Sequence, residues 1–184
     1  LLEQGKGDIW DSGKIESDAS QWMTYQGKTL KCNAPYYWKV KIDTNKGATN
    51  WSAPAFWTTG LFNEADWQGQ WIGLDRAAPG DSETQWSRLA ARYLRKEFAV
   101  KKDVKRATVH IAGMGLYELF INGQRIGNQV LAPAPTDYRK TILYNTYDVT
   151  SLLQTENAIG VTLGNGRFYT MRQNYKPYKI PTFG

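Results

Sequence analysis

The chain has 184 residues, of which 41% are hydrophobic and 22% charged, a mixture that supports a packed core and excludes the charge-rich, apolar-poor class of disordered chains. Its formal charge of +6 is not gathered into a stripe for nucleic acid, because Glu97 and Asp103 interrupt the densest basic run, Arg92 to Arg106, and apolar residues alternate through it. One cysteine, Cys32, excludes an intrachain disulfide, and no stretch approaches the ~18 apolar residues of a membrane span.

Short alternating runs rich in Val, Ile, Thr, Tyr and Trp, bounded by Gly, Asn and Asp, predict strands almost throughout. The first three are expected over 21–25, 36–42 and 54–59, with Asn45-Lys46-Gly47 turning the chain between the last two. In Tyr37-Trp38-Lys39-Val40-Lys41-Ile42, large apolar and charged residues alternate, as one wet sheet face requires. A boundary is expected between Gly60 and Trp71, where Asn63-Glu64-Ala65-Asp66 suits one capped helical turn. Trp71-Ile72-Gly73-Leu74 reads as a strand, and 77–87, with Pro79-Gly80-Asp81-Ser82, as an exposed loop.

Longer strands are expected over 91–98, 107–112, 116–121 and 158–163. Asn122-Gly123 supplies the two positive-φ positions of a two-residue type I′ turn, so the strands around it should pair antiparallel without any ligand. Gly164-Asn165-Gly166 ends the last of these strands. It is read as a turn, the alternative being a close approach of backbone to a ligand.

Chemistry is sparse. The one histidine, His110, points away from the face shared by Ala107, Val109 and Ile111, and with one cysteine it cannot build a zinc site of the usual ligand type. No Gly-x-Ser-x-Gly elbow and no Gly-rich strand-to-helix loop is present. Asp8, Asp11, Glu16 and Asp18 are too scattered for a calcium loop. Glycoside hydrolysis needs two carboxyl groups across a sugar, and the 17 acids show no such pairing. Asp137 and Asp148 have a local explanation as acceptors for neighbouring backbone amides.

A family resemblance rests on longer runs. Ala91-Arg92-Tyr93-Leu94-Arg95-Lys96-Glu97-Phe98, the segment from Arg106 through Met114-Gly115-Leu116-Tyr117-Glu118, and Ile121-Asn122-Gly123-Gln124-Arg125-Ile126-Gly127 resemble the N-terminal jelly-roll module of bacterial α-L-rhamnosidases. Leu131-Ala132-Pro133, Thr136-Asp137-Tyr138, Tyr144 to Thr150 and Gly164-Asn165-Gly166 follow in the same order. Upstream, Trp10-Asp11-Ser12-Gly13-Lys14, Tyr37-Trp38-Lys39-Val40, the run Trp51 to Gly60 and Asp66-Trp67-Gln68-Gly69-Gln70-Trp71-Ile72 are similar to the fibronectin type III-like module that precedes it. The chain departs from the family pattern at Pro133-Ala134-Pro135, where Pro-Gly-Trp is frequent, and at Arg167, where Trp is frequent.

The resemblance implies an all-β chain: a partial fibronectin type III-like sandwich over 1–62, followed by a galactose-binding-like jelly-roll sandwich over 63–184. Counted against the seven and eight strands such sandwiches need, both are expected to be truncated. It implies service to an enzyme that removes terminal α-L-rhamnose by inversion, with both glutamates on an (α/α)₆ barrel that no motif here matches. Expected partners are therefore that barrel, other β-domains of the same polypeptide and a rhamnose-containing glycan or glycoside, with no nucleic acid, membrane, cofactor or bound calcium. The expected location is periplasmic or extracellular. The alternatives are an autonomous carbohydrate-binding module and the jelly roll of a β-galactosidase-like enzyme. For sugar contact the candidates are Tyr138, Arg139, Asn165, Arg167 and Tyr169, rings and polar groups of the kind that stack on and fix a sugar.

Overall fold

A computed structural model describes residues 2–19, 21–73, 90–166 and 168. The chain divides into two compact units, Leu1–Gln70 and Trp71–Gly184.

In the first unit β1 (Pro35–Trp38) pairs antiparallel with β4 (Ala55–Thr58), and β2 (Asp43–Thr44) with β3 (Gly47–Ala48). Asn45 and Lys46 form the expected turn between β2 and β3. The long strand expected over 36–42 ends at Trp38, but its continuation stays tethered: Ser52 N–H donates to the Val40 carbonyl at 2.9 Å and Thr49 N–H to the Ile42 carbonyl at 2.8 Å. Cross-strand aromatic pairs fix the register of β1 and β4, Tyr36 against Trp57 with ring centroids 5.4 Å apart and Tyr37 against Phe56 at 5.9 Å. Thr59 ties the sheet end to the preceding loop. Its buried hydroxyl donates to the Lys31 carbonyl at 2.6 Å and accepts from Ala34 N–H at 2.9 Å.

Two strand expectations fail, one in each unit. Residues 21–25 are irregular, because Trp22 takes a φ of 65° while Tyr25 turns back to donate to the Lys28 carbonyl at 2.5 Å and to meet the Trp10 ring edge-on. Residues 71–73 are also outside any strand, and Leu74 lies outside the described residues, as does the loop expected over 77–87. The short helical turn is present as a 3-10 turn, Glu64–Asp66.

The second unit is a two-sheet sandwich. β5 (Arg92–Ala99), β10 (Glu156–Gly164), β7 (Leu116–Ile121) and β8 (Gln124–Ile126) form one sheet in that order, and β6 (Thr108–Ala112) pairs with β9 (Tyr144–Asp148) in the other. All pairings are antiparallel. Alternation along β7 sends Tyr117, Leu119 and Ile121 inward, where Leu119 and Ile121 are 1% exposed. With Ile126, Ala132 and Val149 they make the core against which Val109 and Ile111 of β6, Tyr147 of β9 and Ile159 and Val161 of β10 pack. Burying an aliphatic side chain so fully stabilises the fold by about 1.5–3 kcal/mol. Strand β9 was not expected, since Tyr144-Asn145-Thr146-Tyr147-Asp148 hides its alternation among polar residues.

Candidate functional site

Among the candidate residues, Tyr138 and Arg139 lie on the turn that follows Thr136, and Asn165 lies just past β10; Arg167 and Tyr169 lie outside the described residues. The turn is closed by its own groups. Lys140 N–H and Thr141 N–H donate to the Asp137 carbonyl at 2.8 and 3.0 Å, and the Thr136 hydroxyl donates to the Thr141 carbonyl at 2.5 Å. Asp137 accepts from Arg139 through Nε at 3.2 Å and through the backbone N–H at 3.3 Å. These bonds hold its carboxyl below the usual carboxylate range.

Tyr138 is half-buried and meets the ring of Phe168 edge-on, with centroids 5.4 Å apart and planes at 90°. Phe168 is 5% exposed. The contact brings the Thr136 to Thr141 turn against Phe168, which lies three positions after Asn165. The Gly164-Asn165-Gly166 turn approaches another stretch of backbone. A Cβ on Gly115 would stand 3.1 Å from the Asn165 carbonyl oxygen, and one on Gly166 only 2.9 Å from the Gly115 carbonyl carbon. Gly115 has φ 129° and Gly166 φ 51°, so both need glycine for conformation as well as for space.

Acids elsewhere also serve local backbone. Asp66 accepts from Asn63 N–H at 2.9 Å and Phe62 N–H at 3.1 Å, and the Cys32 thiol adds a further bond to it. Asp148 accepts from the Thr150 hydroxyl at 2.6 Å and Thr150 N–H at 2.9 Å. In both, these hydrogen bonds lower the carboxyl pKa, the opposite of what a general acid needs. Glu118 pairs with Arg125 at 3.1 Å and Glu97 with Arg95 at 2.5 Å, both in exposed settings. The described residues contain no group of three or more His, Cys, Asp and Glu that could hold a metal ion, and no helix among them is long and apolar enough to cross a membrane.

His110 bonds through Nδ1 to the Thr146 hydroxyl at 2.9 Å and meets the Tyr144 ring edge-on at 5.8 Å. Burial first, and then the Arg106 charge, lowers its pKa and favours neutral imidazole. No carboxylate among the described residues is hydrogen-bonded to it.

Two polar constellations escaped the sequence reading. Arg125 clamps the β8 exit, donating through Nη1 to the Gly127 carbonyl at 3.1 Å and through Nη2 to the Gln129 carbonyl at 2.7 Å. Asn122 and buried Asn157 lock the β7–β8 turn to β10: Asn122 Nδ2 donates to the Leu152 carbonyl at 2.9 Å and to Asn157 Oδ1 at 3.0 Å, while its Oδ1 accepts from Ala158 N–H at 2.8 Å. The one sequence signal was an asparagine, Asn157, just before the apolar run of β10.

The chain matches two family models in tandem. Residues 1–63 match the Rha78A-like, N-terminal immunoglobulin domain, and residues 102–183 match the alpha-L-rhamnosidase N-terminal domain. An alpha-L-rhamnosidase of Formosa agariphila is 38% identical over 95% of the chain, and one of Alteromonas sp. 36% identical over 86%. The chain spans about a fifth of the length of these curated relatives, 20% and 18% respectively. Among solved structures, the alpha-L-rhamnosidase from Dictyoglumus thermophilum aligns with a TM-score of 0.79 at 41% identity, covering 90% of this chain and 20% of that one. The enzyme from Aspergillus terreus aligns at 0.71 with 34% identity, covering 80% and 17%.

Proposed function

Because residues 1–63 and 102–183 belong to the N-terminal domain families of α-L-rhamnosidases, we propose that this chain is the non-catalytic N-terminal region of such an enzyme, which removes terminal α-L-rhamnose from glycosides by inversion. The observation that carries the proposal is the tandem family match within about a fifth of each relative's length. Three acids fit it, since local donors lower the carboxyl pKa of Asp66, Asp137 and Asp148. An inverting hydrolase instead needs one carboxyl kept protonated opposite a second that activates water.

The partners proposed are the catalytic helical barrel and further β-domains of the same polypeptide, and through them a rhamnose-containing glycan or glycoside. The proposed location is the periplasm or the cell exterior. Tyr138 and Arg139 spend their contacts on Phe168 and Asp137, which favours a supporting role over an autonomous sugar-binding one. The test is an aryl α-L-rhamnoside assay with the purified chain, a full-length relative serving as positive control. No nitrophenol release by the chain is expected, and turnover by it would refute the proposal. Calorimetric titration with rhamnose is expected to give a flat trace; heat with a defined stoichiometry would transfer the reading to a sugar-binding module.

A further inference from the structure

We propose that Asn122-Gly123 is a self-modification site of this protein, held shut by the native fold and opened only when the β7–β8 turn leaves β10. The chemistry is that of an asparagine followed by glycine. The Gly123 backbone nitrogen attacks the Asn122 side-chain carbonyl carbon, a C–N bond closes a succinimide ring, and the Cγ–Nδ2 bond breaks. Nδ2 departs as ammonia, carrying the proton given up by the Gly123 amide. Water then opens the ring at either carbonyl, leaving an aspartyl or isoaspartyl residue, so the balance is amide plus water to acid plus ammonia. Glycine at the second position makes attack easy because no Cβ crowds the nucleophile, and the space where one would stand at Gly123 is open.

In the fold, however, the amide that must rotate onto Gly123 is occupied at both ends. Nδ2 is held by the Leu152 carbonyl and Asn157 Oδ1, Oδ1 by Ala158 N–H, and the Asn122 backbone N–H donates to the Ala158 carbonyl at 2.8 Å. Asn157, 5% exposed, is itself fixed, donating from Nδ2 to the Gln154 carbonyl at 2.6 Å and accepting at Oδ1 from Gln154 N–H at 2.8 Å. Cyclisation therefore requires the side chain to abandon three bonds at once, which makes the rate proportional to the population of the opened hairpin. Once modified, the residue cannot return to the same network, because a carboxylate has no donor for the Leu152 carbonyl and would face Asn157 Oδ1 as a like partner. The turn thus accumulates an irreversible mark in proportion to the time it spends open.

The test follows amide loss at Asn122 by peptide mass mapping and isoaspartate labelling of the 184-residue chain, incubated at mildly alkaline pH in buffer and in concentrated urea. Asn165-Gly166 provides a reference of the same chemistry in the unfolded chain. Loss at Asn122 is expected at least about tenfold slower in buffer than in urea, with Asn122 and Asn165 converting alike in urea. Asn157→Ala, shown to be folded by its near-ultraviolet circular dichroism, is expected to speed the reaction in buffer and leave the urea rate unchanged. Equal wild-type rates in buffer and urea would overturn the proposal, whether or not the variant folds. So would a folded Asn157→Ala chain that converts no faster than wild type.

Discussion

At the scale of single residues, polar side chains close turns in this protein. Asn122 shows how much one amide does: two donors and one acceptor join the β7–β8 turn, the loop at Leu152 and the start of β10. Asn122→Asp keeps size and acceptor but loses both donations, leaving the Leu152 carbonyl and Asn157 Oδ1 beside a charge. A loss of about 1–3 kcal/mol is expected for two hydrogen bonds given up at about 0.5–1.5 kcal/mol each, measured as a shift of the urea midpoint at unchanged slope. Asp148 adds a pH dependence. The Thr150 bonds depress its pKa in the fold, so its contribution is complete above the ordinary carboxylate range and is lost as pH falls through the lower folded value. Thr150 in turn accepts from Ala107 N–H at 2.8 Å, at the threshold of β6. Acidification should therefore lower the protection of the β6 and β9 amides, taken relative to the intrinsic exchange rate at each pH, in the wild-type chain, and Asp148→Asn should remove that dependence. Exchange with the same acid profile in both proteins would count against this assignment. The Asn-Gly turn was readable from two letters because its geometry is local; Asn157 was not, because its partners lie 35 positions away at Asn122 as well as three away at Gln154.

At the scale of elements, strands were foreseeable wherever alternation was driven by burial. β5, β6, β7 and β10 fall within two residues of their expected bounds, and the core supplies the reason, since every second residue of β7 is sealed from water. Alternation misled where a face stays wet or a turn intrudes. The 21–25 run has the composition of a strand but pairs with no strand among the described residues, and Trp22, 89% exposed at positive φ, breaks it. The candidate site was foreseeable only in part, because Tyr138 meets Phe168 across 30 residues of sequence, a contact no local pattern encodes. Glycine requirements sort the same way. Gly115 and Gly123 both sit at positive φ, but a Cβ at Gly123 meets open space whereas one at Gly115 meets the Gly164-Asn165 backbone. Gly123→Ala should therefore cost only the conformational penalty, about 1 kcal/mol. Gly115→Ala should cost at least about twice that, since backbone cannot move aside as a side-chain tip can. Equal melting shifts for the two variants would show that the turn yields freely.

At the scale of the whole molecule, hydrophobic burial is divided unequally. Every buried apolar side chain among the described residues belongs to the second unit: Tyr117, Leu119, Ile121, Ile126, Ala132, Pro133, Val149 and Phe168. The first unit contributes to that buried set only the polar Thr59, and it leaves Tyr37, Trp38, Trp51, Phe56 and Trp57 each more than 40% exposed. Apolar area removed from water is the main favourable contribution to folding, and paired strands without a sealed face are marginal in water. Unfolding of the chain should accordingly fall into two transitions, the first unit opening at lower denaturant. The distribution of reporters makes this measurable, because six of the eight tryptophans, Trp10, Trp22, Trp38, Trp51, Trp57 and Trp67, lie in the first unit. Tryptophan fluorescence should change at a urea concentration where the β7 and β10 amides are still protected from exchange, and Leu119→Ala should move the second transition while leaving the first in place. That substitution empties a site 1% exposed, for which about 2–5 kcal/mol is expected. Coincident fluorescence and exchange transitions, both displaced by Leu119→Ala, would mean that the two units fold as one and that the exposed aromatics of the first draw their stability from the second.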